Sequence, residues 1–384
     1  MKRIVYISGS RAEYGIMKRL LLELKKNENI ELKIIATGMH CDPKYGMTYK
    51  YIENDGFDII EKIDIKLNTE SNYNVIQSMS LCQNEIGKHF ETYHYDAVIV
   101  LGDRFEIFAA STAAAMNNIP IIHLHGGEQT LGNYDEFIRH AITKMSRLHL
   151  VSTEEYRKRV IQLGESPETV YNIGALGAEN SLSRILPNKE SLEKKYGQLM
   201  KPYFMVVFHP ETITKSSPHE QAKELLAALE VKNNHFDYIF IGSNSDTGSD
   251  FITNLIKNYC ERHRCRFITS VQSEDYLALN KYSQGLIGNS SSGLIEIPSL
   301  GVPTINIGDR QKGRVRGESV IDVKCNREEI VSAIMYSQSE HFKSVLKNAV
   351  NPYYKKDCLK LAQDSILNFI FSNLPKFKYF FDIE

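Results

Sequence analysis

Two doubly wound α/β domains, each a Rossmann-like parallel sheet wrapped by helices and facing a central cleft, are predicted by three observations. The chain's 384 residues exceed the roughly 250–300 at which one hydrophobic core stops growing. Short apolar runs bounded by turn residues alternate with helical periodicity, the pattern of parallel sheets covered by helices. The alternation stops once and then restarts, which marks a junction between two such units.

In the first series Ile4–Ile7 reads as a strand, and Met17, Leu20, Leu21 and Leu24 then recur at three, four and seven residues, on one helix face. Further strands are expected at Leu32–Ala36, Ala97–Leu101, Ile119–Leu124 and Leu148–Ser152; their near-continuous apolar character suits burial on both faces. From Gly174 to Pro202 strands are lost, and Gly177, Pro187 and Gly197 mark the connection. The second series has strands at Phe204–Phe208, Tyr238–Ile241, Arg266–Thr269, Gly285–Ile287 and Thr304–Ile307, with a helical stripe of Ile252, Leu255, Ile256 and Tyr259. These stripes establish architecture and carry no chemistry.

Lys plus Arg number 46 and Asp plus Glu 47, a formal charge of −1. No global field gathers nucleic acid or an anionic membrane, so an anionic ligand needs a local site. The six cysteines are scattered, which suits reduced thiols in a cytoplasm. Cys260, His263 and Cys265 read as a helix end entering a strand, because a structural zinc site wants about four ligands. Met1-Lys2-Arg3 before Ile4 loosely mimics a signal peptide, but its apolar run is too short. No apolar stretch approaches the ~18–20 residues of a membrane span.

Ligands of open α/β sheets bind at the strands' carboxyl ends, so residues just after strands are the candidates. After the first strand comes Ser8-Gly9-Ser10-Arg11-Ala12-Glu13-Tyr14-Gly15, where small residues permit close backbone approach and Arg11 offers two donors to a phosphate. Neither Gly-x-Gly-x-x-Gly nor a Walker Gly-Lys-Ser/Thr stands here, which disfavours NAD and P-loop chemistry. In Gly288-Asn289-Ser290-Ser291-Ser292-Gly293, three hydroxyls and backbone amides meet the expected start of a helix, a cradle for a diphosphate. Glu296, one turn on, either accepts from a ribose diol or merely complements the helix dipole, worth ~0.3–1 kcal/mol. Asp103, in Gly102–Glu106, either caps the next helix or transfers protons. His125 and Glu128, in His123–Glu128, precede Asp135, Glu136, Arg139 and His140 on a predicted helix. Two adjacent loops each offering a carboxylate point to proton transfer. His209 follows a strand of the second series. The loop Gly308–Arg316 holds Arg310, Lys312, Arg314 and Arg316, as a solvated turn or as a ligand or regulator contact. With no Asp-x-Asp pair to hold a divalent metal against a diphosphate, no metal and no cofactor are expected.

Together these motifs resemble the hydrolysing UDP-N-acetylglucosamine 2-epimerases of bacterial sialic acid biosynthesis, and the resemblance covers nearly the whole chain. It implies a GT-B-type fold with residues 1–178 as the acid–base domain, 179–355 as the UDP-binding domain, and 356–384 carrying a C-terminal helix that returns to the first domain. Leu359, Leu361, Ala362, Ile366, Phe369 and Ile370 suit that helix. Asp103 and Asp135 are implied as acid–base carboxylates and His209 as a diphosphate or leaving-oxygen contact. Arg11, Ser290, Ser291, Ser292 and Gly293 are implied to hold phosphate, Glu296 the ribose, Arg139 sugar or phosphate, and Asn289 some part of the UDP-sugar. Many relatives carry a catalytic Glu where this chain has His125; either His125 takes that role or Glu128 supplies the carboxylate. The resemblance also implies a homo-oligomer, dimer or tetramer. Competing readings are a hydrolysing 2-epimerase of a UDP-diacetamido-trideoxyhexose, a non-hydrolysing epimerase, a GT-B glycosyltransferase and a non-catalytic UDP-sugar sensor.

Overall fold

The computed structural model describes residues 1–198, 201–211, 213, 216–242, 245–263, 265–373, 375 and 377–383. Seven strands form the first sheet: β1 Lys2–Ser8, β2 Ile30–Thr37, β3 Ile59–Ile63, β4 Ala97–Leu101, β5 Ile121–Leu124, β6 Leu148–Val151 and β7 Val170–Asn172. Their spatial order is β3-β2-β1-β4-β5-β6-β7, every neighbouring pair parallel. Six strands form the second: β8 Tyr203–Val207, β9 Asp237–Ile241, β10 Cys265–Ile268, β11 Leu286–Gly288, β12 Thr304–Ile307 and β13 Val320–Val323. Their order is β10-β9-β8-β11-β12-β13, again all parallel. The predicted pair of doubly wound α/β sheets is therefore what the chain forms.

Alternation along β1 sends Ile4 and Tyr6 into one core layer, and Val5 and Ile7 into the layer on the other face. Three strands escape the sequence reading: β3, β7 and β13. All lie at or beside a sheet edge and are only half-buried, so they lack the apolar run that revealed the others.

Two local expectations need correction. The helix after β11 is one turn, Ser292–Ile295, continued by a 3-10 turn at Ile297–Leu300. Pro298, with no amide hydrogen, prevents a longer α-helix, so Glu296 stands at the junction rather than inside a helix. The C-terminal helix, Cys358–Phe371, packs Cys358, Ala362, Ile366, Phe369 and Ile370 into the same core as Met17, Leu20, Leu21 and Leu24 of the Arg11–Lys25 helix. Burial of each large side chain contributes roughly 1.5–3 kcal/mol. Leu361, expected on that face, is 37% exposed. Among the described residues no helix is long and apolar enough to cross a membrane.

Candidate active site

Each sheet winds outward from its first strand and then resumes on that strand's other side. This creates a switch point between β1 and β4 in the first sheet and between β8 and β11 in the second. Loops diverge at such points and leave a crevice. The two crevices form one cavity of about 130 Å³, lined from the first domain by Ser10, Glu13, Asp103, Arg104, His125, Glu128, Asp135 and Arg139, and from the second by His209, Asp246, Ser290, Ser291, Arg310 and Arg314. Sites for drug-sized ligands occupy roughly 300–1,000 Å³, so this cavity is small for a nucleotide sugar.

On the first-domain side, Gly102 turns the chain out of β4 and sets Asp103 against Arg139, with which it is ion-paired. Arg139 is 1% exposed, and its Nη1 donates to the Glu128 carbonyl at 2.8 Å. It stands one turn after Asp135 on the Asp135–Met145 helix, so both face the cavity. Burial first and Asp246 second push the Asp135 carboxyl up to about 7, against the opposing Arg310. Arg310 lies 3.8 Å from Asp135 and 3.2 Å from Asp246, bridging the domains.

Glu128 behaves oppositely. Burial alone would raise it, yet Arg314, His125 and Ser152 bring it down to about 2. Its Oε1 lies 2.8 Å from His125 Nδ1 and accepts from Ser152 Oγ at 2.9 Å, and its Oε2 lies 3.0 Å from Arg314. His209 is pushed down to about 3 by burial and then by Arg310, so it is a neutral imidazole near pH 7.

The second-domain turn is shaped by close packing. A Cβ on Gly288 would lie 1.9 Å from the Val207 carbonyl oxygen, and one on Gly293 would lie 2.6 Å from Thr304 Cγ2. Asn289 accepts from the His209 amide and donates to the His209 carbonyl, both at 2.8 Å, which ties the ends of β8 and β11 together. Ser290 and Ser292 hydroxyls lie 3.0 Å apart, and Ser292 also meets the Tyr276 hydroxyl at 2.6 Å.

The structure thus brings Asp103, His125, Glu128, Asp135, Arg139, His209, Ser290 and Ser291 to one cavity. It does not bring the other expected contacts to its wall. Arg11 reaches across the domain gap and donates to the Val271 carbonyl, which ties the domains. Asn289 is a clamp, Ser292 is turned toward Tyr276, and Gly293 is a packing site. Glu296 stands beside Gly177, and burial holds its carboxyl up at about 7 despite Arg184.

Sequence reasoning missed Glu13, Arg104 and Asp246. Glu13 is pushed up to about 8 by burial and Glu106, against Arg104. Arg104 lies 2.6 Å from Glu106 and donates to Ser245 in the second domain. The signal available was the Ser10-x-x-Glu13 spacing; Asp246, in a loop before a helix, offered none. Among the described residues no group of three or more His, Cys, Asp or Glu could hold a metal.

Residues 22–367 match the family model described as UDP-N-acetylglucosamine 2-epimerase. A polysialic acid biosynthesis protein of Escherichia coli is 58% identical over 383 residues, covering 100% of this chain and 98% of the relative. A GDP/UDP-N,N'-diacetylbacillosamine 2-epimerase (hydrolyzing) of Campylobacter jejuni is 38% identical, covering 89% of each chain. The solved structure of a UDP-GlcNAc 2-epimerase from Neisseria meningitidis bound to UDP-GlcNAc superposes with a TM-score of 0.76 at 19% identity, covering 96% of this chain and 100% of that one, and so shares the two-domain fold. With the family model spanning nearly the whole chain, and a relative 58% identical along its full length, this protein belongs to the UDP-N-acetylglucosamine 2-epimerase family of enzymes.

Proposed function

We propose that the chain hydrolyses UDP-N-acetylglucosamine with inversion at carbon 2, releasing UDP and N-acetylmannosamine for cytoplasmic sialic acid biosynthesis. The observation that carries this reading is the contrast between two carboxyl groups lining one cavity, across from the Ser290–Ser291 turn. Asp103 is paired with Arg139, and Asp135 is pushed up to about 7.

The hydrogen on carbon 2 is not beside a carbonyl, so its direct removal faces a high barrier. Departure of UDP builds positive charge at carbon 1, acidifies that hydrogen and leaves 2-acetamidoglucal. Asp103, ion-paired with Arg139, suits the base; Asp135, pushed up to about 7, suits the acid that returns a proton to the opposite face. Ser290 and Ser291 hold the diphosphate, with neutral His209 beside the leaving oxygen. Arg310 offsets the departing charge. Residues 1–178 then form the acid–base domain and 179–355 the nucleotide domain, with 356–384 returning to the first.

The Escherichia coli relative supports the sialic acid route, and the Campylobacter relative's printed activity supports hydrolysis. That same relative favours one second reading, a UDP-diacetamido-trideoxyhexose as substrate. Incubation with UDP-N-acetylglucosamine in deuterium oxide, followed by proton NMR, is expected to give free N-acetylmannosamine deuterated at carbon 2, plus UDP, without an acceptor. Unlabelled product, or no turnover until an acceptor sugar is added, overturns the reading.

A further inference from the structure

Elimination followed by hydration moves three protons: one off carbon 2, one onto carbon 2, and one off the water that bonds to carbon 1. In the reading above, on which this inference rests, Asp103 and Asp135 handle the first two. The third has no acceptor among them.

His125 has the geometry of that acceptor. The residue lines the cavity, and its Nδ1 lies 2.8 Å from Glu128 Oε1. Its Nε2 is buried and has no hydrogen-bond partner among the described residues. Such a nitrogen is costly to leave unpaired unless something enters the cavity to meet it. The backbone at His125 has φ 64°, a region rarely adopted outside glycine and seen at functional sites at a cost of order 1–3 kcal/mol. Glu128 cannot take the proton itself. Its side chain is 1% exposed, and its oxygens are held by His125, Ser152 and Arg314. Arg314 fixes the carboxylate, the carboxylate fixes the ring with its proton on Nδ1, and the lone pair is left on Nε2 of a side chain that lines the cavity. The same orienting logic serves histidine bases in acyl transfer.

We propose that His125 is the base that deprotonates the water adding to carbon 1, and that Glu128 is a positioning residue that acts only through it. The water O–H bond breaks, its proton passes to Nε2, and its oxygen bonds to carbon 1. The electron pair of the carbon 1–carbon 2 double bond takes the proton of Asp135. The imidazolium then returns its proton to the Asp135 carboxylate through solvent. Both groups recover their starting states, Asp103 gives the proton it took from carbon 2 to solvent, and one water has been added.

The test measures UDP and N-acetylmannosamine separately with His125→Ala. UDP release is expected to stay within about 10-fold of the unmutated chain while N-acetylmannosamine formation falls about 100- to 1,000-fold. 2-Acetamidoglucal accumulates, and added imidazole restores part of the second step. His125→Asn, which tolerates positive φ, repeats the measurement should the alanine variant not fold. Glu128→Gln should show the same partition with a smaller loss, an unchanged KM and no imidazole rescue. The proposal is overturned if UDP and N-acetylmannosamine fall together, if neither falls, or if Glu128→Gln loses more than His125→Ala. An unmutated chain that forms no N-acetylmannosamine overturns instead the function on which the proposal rests, and this assignment with it.

Discussion

Two turns of this molecule look alike in sequence and behave differently. Ser8–Gly15 follows β1, and Gly288–Glu296 follows β11; both are rich in Ser and Gly and both open onto the cleft. In the first, Ser10 Oγ accepts from the Glu13 amide, and Glu13 Oε2 accepts from the Gly9 and Ser10 amides at 3.0 and 3.2 Å, a closed capping box. In the second, the hydroxyls bond to one another, and among the described residues the Ser290 and Ser291 amides have no protein acceptor. The carboxylate three residues after Ser10 takes up the amides at the start of the first turn. Gly293 and Leu294, three residues after Ser290 and Ser291, leave the second open. The two turns thus differ in which amides keep no protein acceptor among the described residues, those of Arg11 and Ala12 in the first and those of Ser290 and Ser291 in the second, so small-residue composition does not by itself say where an anion would sit.

The largest effect is expected at Gly288. With φ 140° and the Val207 carbonyl oxygen 1.9 Å from any added Cβ, Gly288→Ala must displace β11 from β8. We expect a stability loss on the order of 3 kcal/mol in thermal or urea melts and loss of UDP binding by calorimetry. A variant that keeps both would break the comparison. Next comes a reciprocal pair. Ser291→Ala should weaken UDP binding about 2- to 10-fold, as expected for one hydrogen bond, with stability kept. Ser10→Ala should lower stability by about 1 kcal/mol with UDP affinity kept. If Ser10→Ala proves the more damaging to UDP binding, the first turn is the anion site and the contrast is inverted.

The smallest effect is a slope. Glu13 titrates at about 8 in the folded chain against an ordinary 4.5, so the folded state keeps a proton that the unfolded chain has released. Stability therefore falls as pH rises between those values. Asp135 and Glu296, each raised to about 7, contribute with the same sign. His40, His123 and His209, depressed to about 3, act oppositely but only below about pH 6.5. Melts between pH 6.5 and 9 should flatten in Glu13→Gln; an unchanged slope would remove Glu13 from the account.

Legibility followed burial. Strands enclosed on both faces, such as β4 with every residue buried, were readable as apolar runs, whereas β3 and β13 mix exposed and half-buried positions and carry no such run. Asp103 and His209 were legible because a strand end places them at the cleft, and Asp135 because it opens the helix that follows the loop after β5. Asp246 was not, since its role arises when Arg310 joins it to Asp135 across the domains. The Arg11 contact with Val271 was illegible for a related reason: a long side chain at a domain boundary can reach the opposite backbone, and sequence alone holds no measure of that gap.

The Cys358–Phe371 helix lies against the first helix of the chain, and this orders events during synthesis. Until that helix leaves the ribosome, the core that Met17, Leu20, Leu21 and Leu24 share with Ile4, Tyr6 and Ile34 of the sheet lacks the side chains of Cys358, Ala362, Ile366, Phe369 and Ile370 that complete it. The amino-terminal half, translated first, is therefore completed last. A chain cut short before Cys358 would carry every side chain that lines the cleft yet leave an apolar seam open along its first helix, prone to aggregation.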